Sequence, residues 1–559
     1  MPLTARAALL ALVAATPALA ARAFTYTLPT AAPTNDRALL LTAQGLLNRA
    51  TPTLWLFEPV FATAPMATYW YPANYLTPKK NFTFEAVGGD FCALAAATGL
   101  LAPGGAARGI ALYDDAALDA TRWLAVTASA LDALLPATRA MRAALPCLAA
   151  LPIAADFSSP AALGFATNVG AYEWGRAALL PRCSRDKLYS AGVSFKDASE
   201  AVYNGNDPAI DIGLDGAVAL KMFVFNLSPD TGKYAAHAAE FQKLVAALRG
   251  PATVPSVYGW AEPEPAMTMA VSLGGGAVMC DAAPNLSFWL NVAARPPALP
   301  FHAAAPALER GALYVAFQTN EGDTPKFAAG LMGGAWIDAA RGSVPIAWGV
   351  NPLVAEVAPG LLEFYGDTAS ANDTFFAATA GAGYAYPSHM PRDAFRAYVA
   401  RAAALTAALT PGWPRRAWEI DIWDTNNASD ISAFAAAFGD GVGAFSMQPE
   451  ALAGTNAVLP GALPLIITAK ELWYPQQTGA CDEDFYAHAL ARAAANITTR
   501  PAFALVYGLV PRDACNRTIF DNALAVRALG ALPDGTPVRL VGMQDFVALA
   551  REAAAPLLV

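Results

Sequence analysis

The sequence predicts an α/β protein whose C-terminal part is a (β/α)8-type, TIM-like barrel preceded by small α/β domains. Three observations carry this. From Gly311 to the C-terminus, short apolar runs alternate with helical stretches eight times, the signature of buried parallel strands joined by helical crossovers. The first 300 residues have α/β character with weaker periodicity, and the proline-rich segment Arg295–Pro306 (RPPALPFHAAAP) separates them from the regular part. Finally, 559 residues with 55% hydrophobic and 14% charged side chains supply large cores and exclude a disordered or fibrous chain.

In chain order, residues 1–20 read as a secretory signal peptide: Arg6, the apolar stretch Ala7–Ala15, Pro17 and the small-residue sequence Ala18-Leu19-Ala20. A secreted or extracellular location follows. Mean hydropathy is positive at +0.34, but this comes mostly from alanine. Beyond residue 20 no charge-free apolar run reaches the ~18 residues that cross a bilayer, so no membrane span is expected. A net charge of −9 argues against a nucleic-acid partner. Seven Asn-x-Ser/Thr sites, at Asn81, Asn226, Asn285, Asn372, Asn427, Asn496 and Asn516, fit a glycosylated secreted chain. The six cysteines allow 15 pairings if all are oxidised, and Cys481–Cys515 is the preferred bridge.

Residues 21–150 form a first α/β domain, with a helix over Asp36–Arg49, a strand over Thr53–Phe57, a strand over Gly109–Tyr113 and a helix over Leu118–Leu135. Residues 151–300 form a second α/β region holding the Asp215–Asn226 run and the Val257–Asn291 stretch. Residues 301–559 form the barrel. Its strands are Leu313–Thr319, Val344–Val350, Thr374–Ala380, Ala417–Trp423, Val442–Ser446, Leu463–Ala469, Phe503–Gly508 and Val538–Val541. The third and fifth units are the weakest, which leaves a seven-stranded or open variant as the alternative.

In such a barrel the chemistry sits at the C-terminal strand ends. Glu321 and Asp323 follow the first strand, Asp421 falls in the fourth, and Glu471 follows the sixth, with Trp348, Trp423 and Trp473 near the same ends. Paired carboxylates are the acid and the nucleophile or base of glycoside hydrolysis, and flat rings suit sugar faces. The same acids are also ordinary helix caps. Four histidines without His-x-His or HExxH spacing argue against a zinc site; no metal or cofactor is expected, with an oxygen-ligated calcium or magnesium ion near Asn320, Glu321 and Asp323 as the lesser alternative.

The third strand runs into Gly381-Ala382-Gly383-Tyr384-Ala385-Tyr386-Pro387-Ser388-His389. The glycines permit a sharp bend or a close approach to ligand, and an aromatic residue before Pro387 favours a cis bond more than most. Tyr384 and Tyr386 could face substrate or serve as core residues, with His389 nearby.

The seven residues from Gly381 to Pro387 resemble the signature of the GxGYxYP family, whose glycoside hydrolase activity is inferred from fold. Tyr314–Asp323 (YVAFQTNEGD) is similar to the family's strand ending in an acidic turn, with Glu321 in place of its first Asp. RGSVPIAWGVNP and Asp373–Phe376 are similar as well, as are Ala43–Phe57, the stretch around Glu262 and Pro284–Trp289 upstream. The resemblance implies a barrel behind small N-terminal domains and a carbohydrate substrate, without fixing a reaction.

The expectation is therefore a secreted glycoside hydrolase with Glu321 or Asp323 set against Glu471 or Asp421. Its substrate cleft would be lined by Gly381, Gly383, Tyr384, Tyr386, His389, Trp348, Trp423 and Trp473, with a rim from Glu262 and Asn285. The alternatives are a carbohydrate-binding or cell-surface recognition protein without turnover and, behind it, a metal-dependent hydrolase of esters or acetyl groups.

Overall fold

The computed structural model describes residues 20–554 apart from 30–33, 60–67, 193–212, 281–282, 297–298, 301–305, 320–324, 379–380, 412, 414–415, 420–427, 439–441, 447–456, 460–462, 468–487, 489–500 and 509–515. Three small parallel sheets precede a nine-stranded one. The first sheet orders its strands β2-β1-β3, from β1 (Ala21–Thr27), β2 (Leu54–Phe57) and β3 (Phe82–Ala86). The second is β5-β4-β6, from β4 (Gly109–Leu112), β5 (Leu134–Ala137) and β6 (Ile153–Asp156). The third is β10-β9-β7-β8, from β7 (Lys187–Ala191), β8 (Phe223–Phe225), β9 (Ser256–Trp260) and β10 (Ala277–Cys280). None of the three keeps a core to itself. They share one instead, in which Leu39, Leu112, Trp123, Tyr172, Phe225 and Val257 pack together.

A disulfide joins Cys92 to Cys147, 55 residues apart. Closing a loop of that length stabilises the fold by about 4 kcal/mol in the chain-entropy account. Cys481 and Cys515, the pair preferred from sequence, lie outside the described residues.

The nine-stranded sheet contains β11 (Leu313–Thr319), β12 (Ile346–Val350), β13 (Asp373–Ala377), β14 (Arg416–Glu419), β15 (Val442–Ser446), β16 (Ala457–Leu459), β17 (Leu463–Ile467), β18 (Ala502–Tyr507) and β19 (Val538–Leu540). Every strand expected from the apolar runs is present, and the short antiparallel β16 is an addition. The hydrogen-bonded path runs β16-β17-β15-β14-β13-β12-β11-β18. Among the described residues it is open, although β17 and β18 are close neighbours.

The eighth unit departs from the (β/α)8 expectation. In that fold the eighth strand would stand between the seventh and the first. Here β18 pairs directly with β11 along Leu313–Gln318. β19 takes the other edge of β11 at Leu313–Val315, below the point where β11 and β12 meet at Gln318 and Thr319.

The following helix, Met543–Ala554, does not pack on the outside of the sheet. Alternation along the strands gives two faces. Leu313, Val315, Phe317, Ile346, Trp348, Ala504 and Val506 point toward the outer helices. Tyr314, Ala316, Ala347, Phe376, Phe503 and Leu505 point the other way and enclose Met543, Phe546, Val547 and Leu549 of the last helix. The connection explains this. Only Val541 and Gly542 separate β19 from the helix, and the backbone N–H of Met543 donates to Thr374 Oγ1 at 3.2 Å. A Cβ on Gly542 would come within 2.6 Å of Thr374 Cγ2, so glycine is needed for this close approach to β13.

The two parts of the chain share a continuous core. Trp55, Tyr71, Tyr75 and Phe82 of the first unit pack with Trp289 and with Leu361 and Phe364 of the C-terminal part. The Tyr75 hydroxyl donates to the Gly360 carbonyl at 3.1 Å.

Candidate active site

Because β11–β15, β17 and β18 are parallel, their C-terminal ends form one rim. The last inner-face layer below that rim is polar. Gln318 is fully buried and stands in register with Tyr507, and the Gly508 N–H donates to the Gln318 carbonyl at 2.9 Å. Asn351, buried just past β12, accepts at Oδ1 from the Leu353 N–H at 3.0 Å. Beneath this layer the Tyr314 and Phe503 rings stack at 5.4 Å. Gln318, Asn351 and Tyr507 were not among the residues singled out from sequence. The signal was there: Gln318 is the polar member of an otherwise apolar run, at the same parity as Tyr314 and Ala316.

The expected acids Glu321, Asp323, Asp421 and Glu471 lie outside the described residues, as do Trp423 and Trp473. The remaining expected site residues are described, and most are in packed surroundings.

The loop from Gly381 to Pro387 is buried. Gly381 has φ +79°, and a Cβ there would lie 3.0 Å from Thr406 Oγ1 and 3.1 Å from the Ala402 carbonyl on the helix Arg392–Leu409. Gly383 has φ +98° and leaves room for the Val278 carbonyl, 2.5 Å from where its Cβ would be. Tyr384 pairs with Val278 as an antiparallel bridge, each N–H donating to the other's carbonyl at 2.8 Å. Its ring enters the N-terminal core beside Val271 and Val278. The Tyr386 N–H donates to Ser272 Oγ at 2.8 Å, and the Tyr398 hydroxyl donates to the Gly383 carbonyl at 2.7 Å. The motif is thus a seam between the third N-terminal sheet and the C-terminal part, and Tyr384 and Tyr386 are core residues. The Tyr386–Pro387 bond is trans; the cis peptide among the described residues is Glu262–Pro263. His389 is exposed beside Tyr386, with ring centroids 6.2 Å apart.

Two further expectations are corrected by burial. Trp348 is completely buried on the outer face of β12, edge-on to Trp336, and its Nε1–H donates to Asp373 Oδ1 at 2.8 Å. It is a core residue and presents no face to a sugar. Asn285 is buried in a left-handed conformation, and its amide completes the free edge of β2. Oδ1 accepts from the Leu56 N–H at 2.7 Å and from Gln44 Nε2 at 2.6 Å, while Nδ2 donates to the Leu56 carbonyl at 3.0 Å. Neither a ligand nor a glycan can use that group in the folded chain. Asn226 is likewise buried, held by Tyr172 and Asp119. Asn81 and Asn516 are exposed. Glu262 is half-buried beyond the end of β9, accepting from Trp260 Nε1 at 2.8 Å and from the Glu264 N–H at 3.1 Å.

A buried carboxyl group with a raised pKa lies in the N-terminal part. Asp215 is fully buried, and burial pushes its carboxyl up to about 6, against the N–H and O–H of Ser287, which hold the charged form at 2.7 and 2.6 Å. Nearby Glu58 is also raised by burial, countered by Arg37 at 3.1 Å. Among the described residues no group of three or more His, Cys, Asp or Glu could hold a metal ion.

With this geometry in hand, the relatives can be placed. No curated protein matches the chain. A crystal structure of a "putative hydrolase" from Bacteroides thetaiotaomicron VPI-5482 is similar at a TM-score of 0.68 and 14% identity, covering 96% of this chain and 95% of that one. At that identity the likeness concerns the fold alone, over nearly the whole of both chains. Residues 311–551 match the family described as "GxGYxYP putative glycoside hydrolase C-terminal domain". The matched segment takes in every strand of the nine-stranded sheet.

Proposed function

We propose that the chain is a secreted glycoside hydrolase whose C-terminal sheet works as a barrel-type scaffold, with chemistry at the rim of its parallel strands. One observation carries this reading. β11, β14 and β17 point the same way in one sheet, and each is followed within a few residues by an expected acid. Glu321 is two residues past Thr319, Asp421 two past Glu419, and Glu471 four past Ile467. The sequence thus sets each acid two to four residues beyond a strand end. Two carboxylates there supply the proton donor and the nucleophile or base that glycosidic cleavage needs. Gln318, Asn351 and Tyr507 would floor the cleft. The family and the hydrolase neighbour support the reaction class, and the family supports a carbohydrate substrate. Secretion rests on the first twenty residues; β1 begins at Ala21, directly after the expected cleavage position.

The test is hydrolysis of a panel of glycans of differing linkage by Glu321→Gln, Asp323→Asn, Asp421→Asn and Glu471→Gln. A member of the acid-base pair loses about 10²–10⁴ in rate. If all four retain full activity, the acids are structural.

A further inference from the structure

We propose that a second site, away from the strand-end rim, binds the acidic groups of a glycan in an arginine-lined groove between the two parts of the chain. The groove holds about 1000 Å³. One wall is the turn after the helix Ala235–Leu248, with Arg249 and Pro251; the other is one face of the helix Arg392–Leu409, with Asp393, Arg396, Ala400 and Arg401. The spacing of 393, 396, 400 and 401 puts these side chains on one stripe of that helix.

Three guanidinium groups thus line the groove with one carboxylate, Asp393, while Glu356 pairs with Arg401 from outside the lining, which leaves one positive charge over in a chain whose net charge is −9. Their existing partners leave charge to spare. Arg249 meets Asp393 only at 3.9 Å, with both side chains partly exposed, a separation at which an ion pair contributes little. Arg396 is exposed, and no ion pair involves it among the described residues. Arg401 is the built element: its side chain is only 19% exposed, and Nη1 donates to the Val254 carbonyl at 2.8 Å and to Ser256 Oγ at 3.2 Å while Nη2 reaches Glu356 at 3.2 Å. It is fixed at the groove floor before any ligand arrives. Pro251 and Ala400 add apolar surface between the charges.

Planar guanidinium groups recognise carboxylate and sulfate through paired N–H donors, and the volume suits a short oligosaccharide rather than a lone ion. The shared chemistry is an anionic substituent on a sugar, either a uronate carboxylate or a sulfate ester. The choice of a sugar rests on the glycan reading above; the choice of an anion rests on the groove alone.

Calorimetric titration of the full chain with trigalacturonate, with a sulfated galactose trisaccharide and with neutral trigalactose tests this. The Glu321→Gln/Asp323→Asn/Asp421→Asn/Glu471→Gln background removes every expected catalytic acid, so binding is read independently of whether hydrolysis exists. We expect at least one acidic trisaccharide to bind at least tenfold more tightly than trigalactose. That affinity should fall tenfold or more in Arg249→Glu/Arg396→Glu, with Arg396→Ala intermediate and melting temperature unchanged, and it should weaken as salt rises. The tighter of the two acids identifies the substituent. The proposal is overturned if trigalactose binds as well as both acids, if neither acid binds, or if the double variant retains affinity.

Discussion

Two regions of the C-terminal part differ in what their residues are committed to. In the Gly381–Pro387 seam the backbone at 383 and 384 is engaged by a neighbour, and the glycines are set by contacts with Val278, Ala402 and Thr406. At the strand-end rim the buried layer of Gln318, Asn351 and Tyr507 is polar, and the acids follow in sequence just beyond. The more distinctive sequence is therefore the one that joins two bodies of the fold. Substitutions should separate the regions cleanly: the seam governs stability, the rim governs turnover.

The largest expected effect is at the rim. Removing a catalytic carboxylate should lower kcat/KM by about 10²–10⁴, or about 3–5 kcal/mol of transition-state stabilisation, while the melting temperature stays within a degree or so. If retained stereochemistry is seen by NMR of the first product, the two carboxyl groups should be ~5–5.5 Å apart; inversion requires ~6.5–9.5 Å.

Next is Gly383→Ala. Both the left-handed φ and the 2.5 Å approach to the Val278 carbonyl oppose a side chain there. A cost of about 3 kcal/mol or more is expected, read as a lower denaturation midpoint with activity per folded molecule preserved. A rate loss in fully folded Gly383→Ala would instead tie the seam to catalysis.

Asp215 provides a pH test inside the N-terminal part. Its folded value near 6 exceeds the 3.8 of the unfolded chain, so the folded state holds the proton more tightly. The stability it contributes is fully present below about 3.8 and is lost as pH rises through about 6, in total about 3 kcal/mol. Denaturation midpoints from pH 4.5 to 7.5 should rise more steeply toward acid in the wild-type chain than in Asp215→Asn. The smallest effect is Tyr398→Phe, which removes one hydrogen bond to the Gly383 carbonyl and should cost about 1 kcal/mol.

Much of the fold was legible because parallel strands buried on both faces read as unbroken apolar runs. β11 and β15 match their expected limits. What periodicity does not encode is which side of a sheet a helix will take. The last helix is amphipathic in either place, and only the two-residue link through Gly542 turns it inward. The candidate site was read less well for a related reason. Trp348 near a strand end looks like a sugar platform, but strand parity sends it outward. Asn285 looks like a surface sequon, yet its amide serves as a substitute strand edge, a role that only the placement of β2 reveals.

The most direct test of this division is the hydrolysis rate per folded molecule of the quadruple variant Glu321→Gln/Asp323→Asn/Asp421→Asn/Glu471→Gln, measured beside its melting temperature on the glycan the wild-type chain cleaves fastest. The account predicts a fall of at least about 100-fold with an unchanged melting temperature. An unchanged rate, or a loss that merely follows a lowered melting temperature, would contradict it.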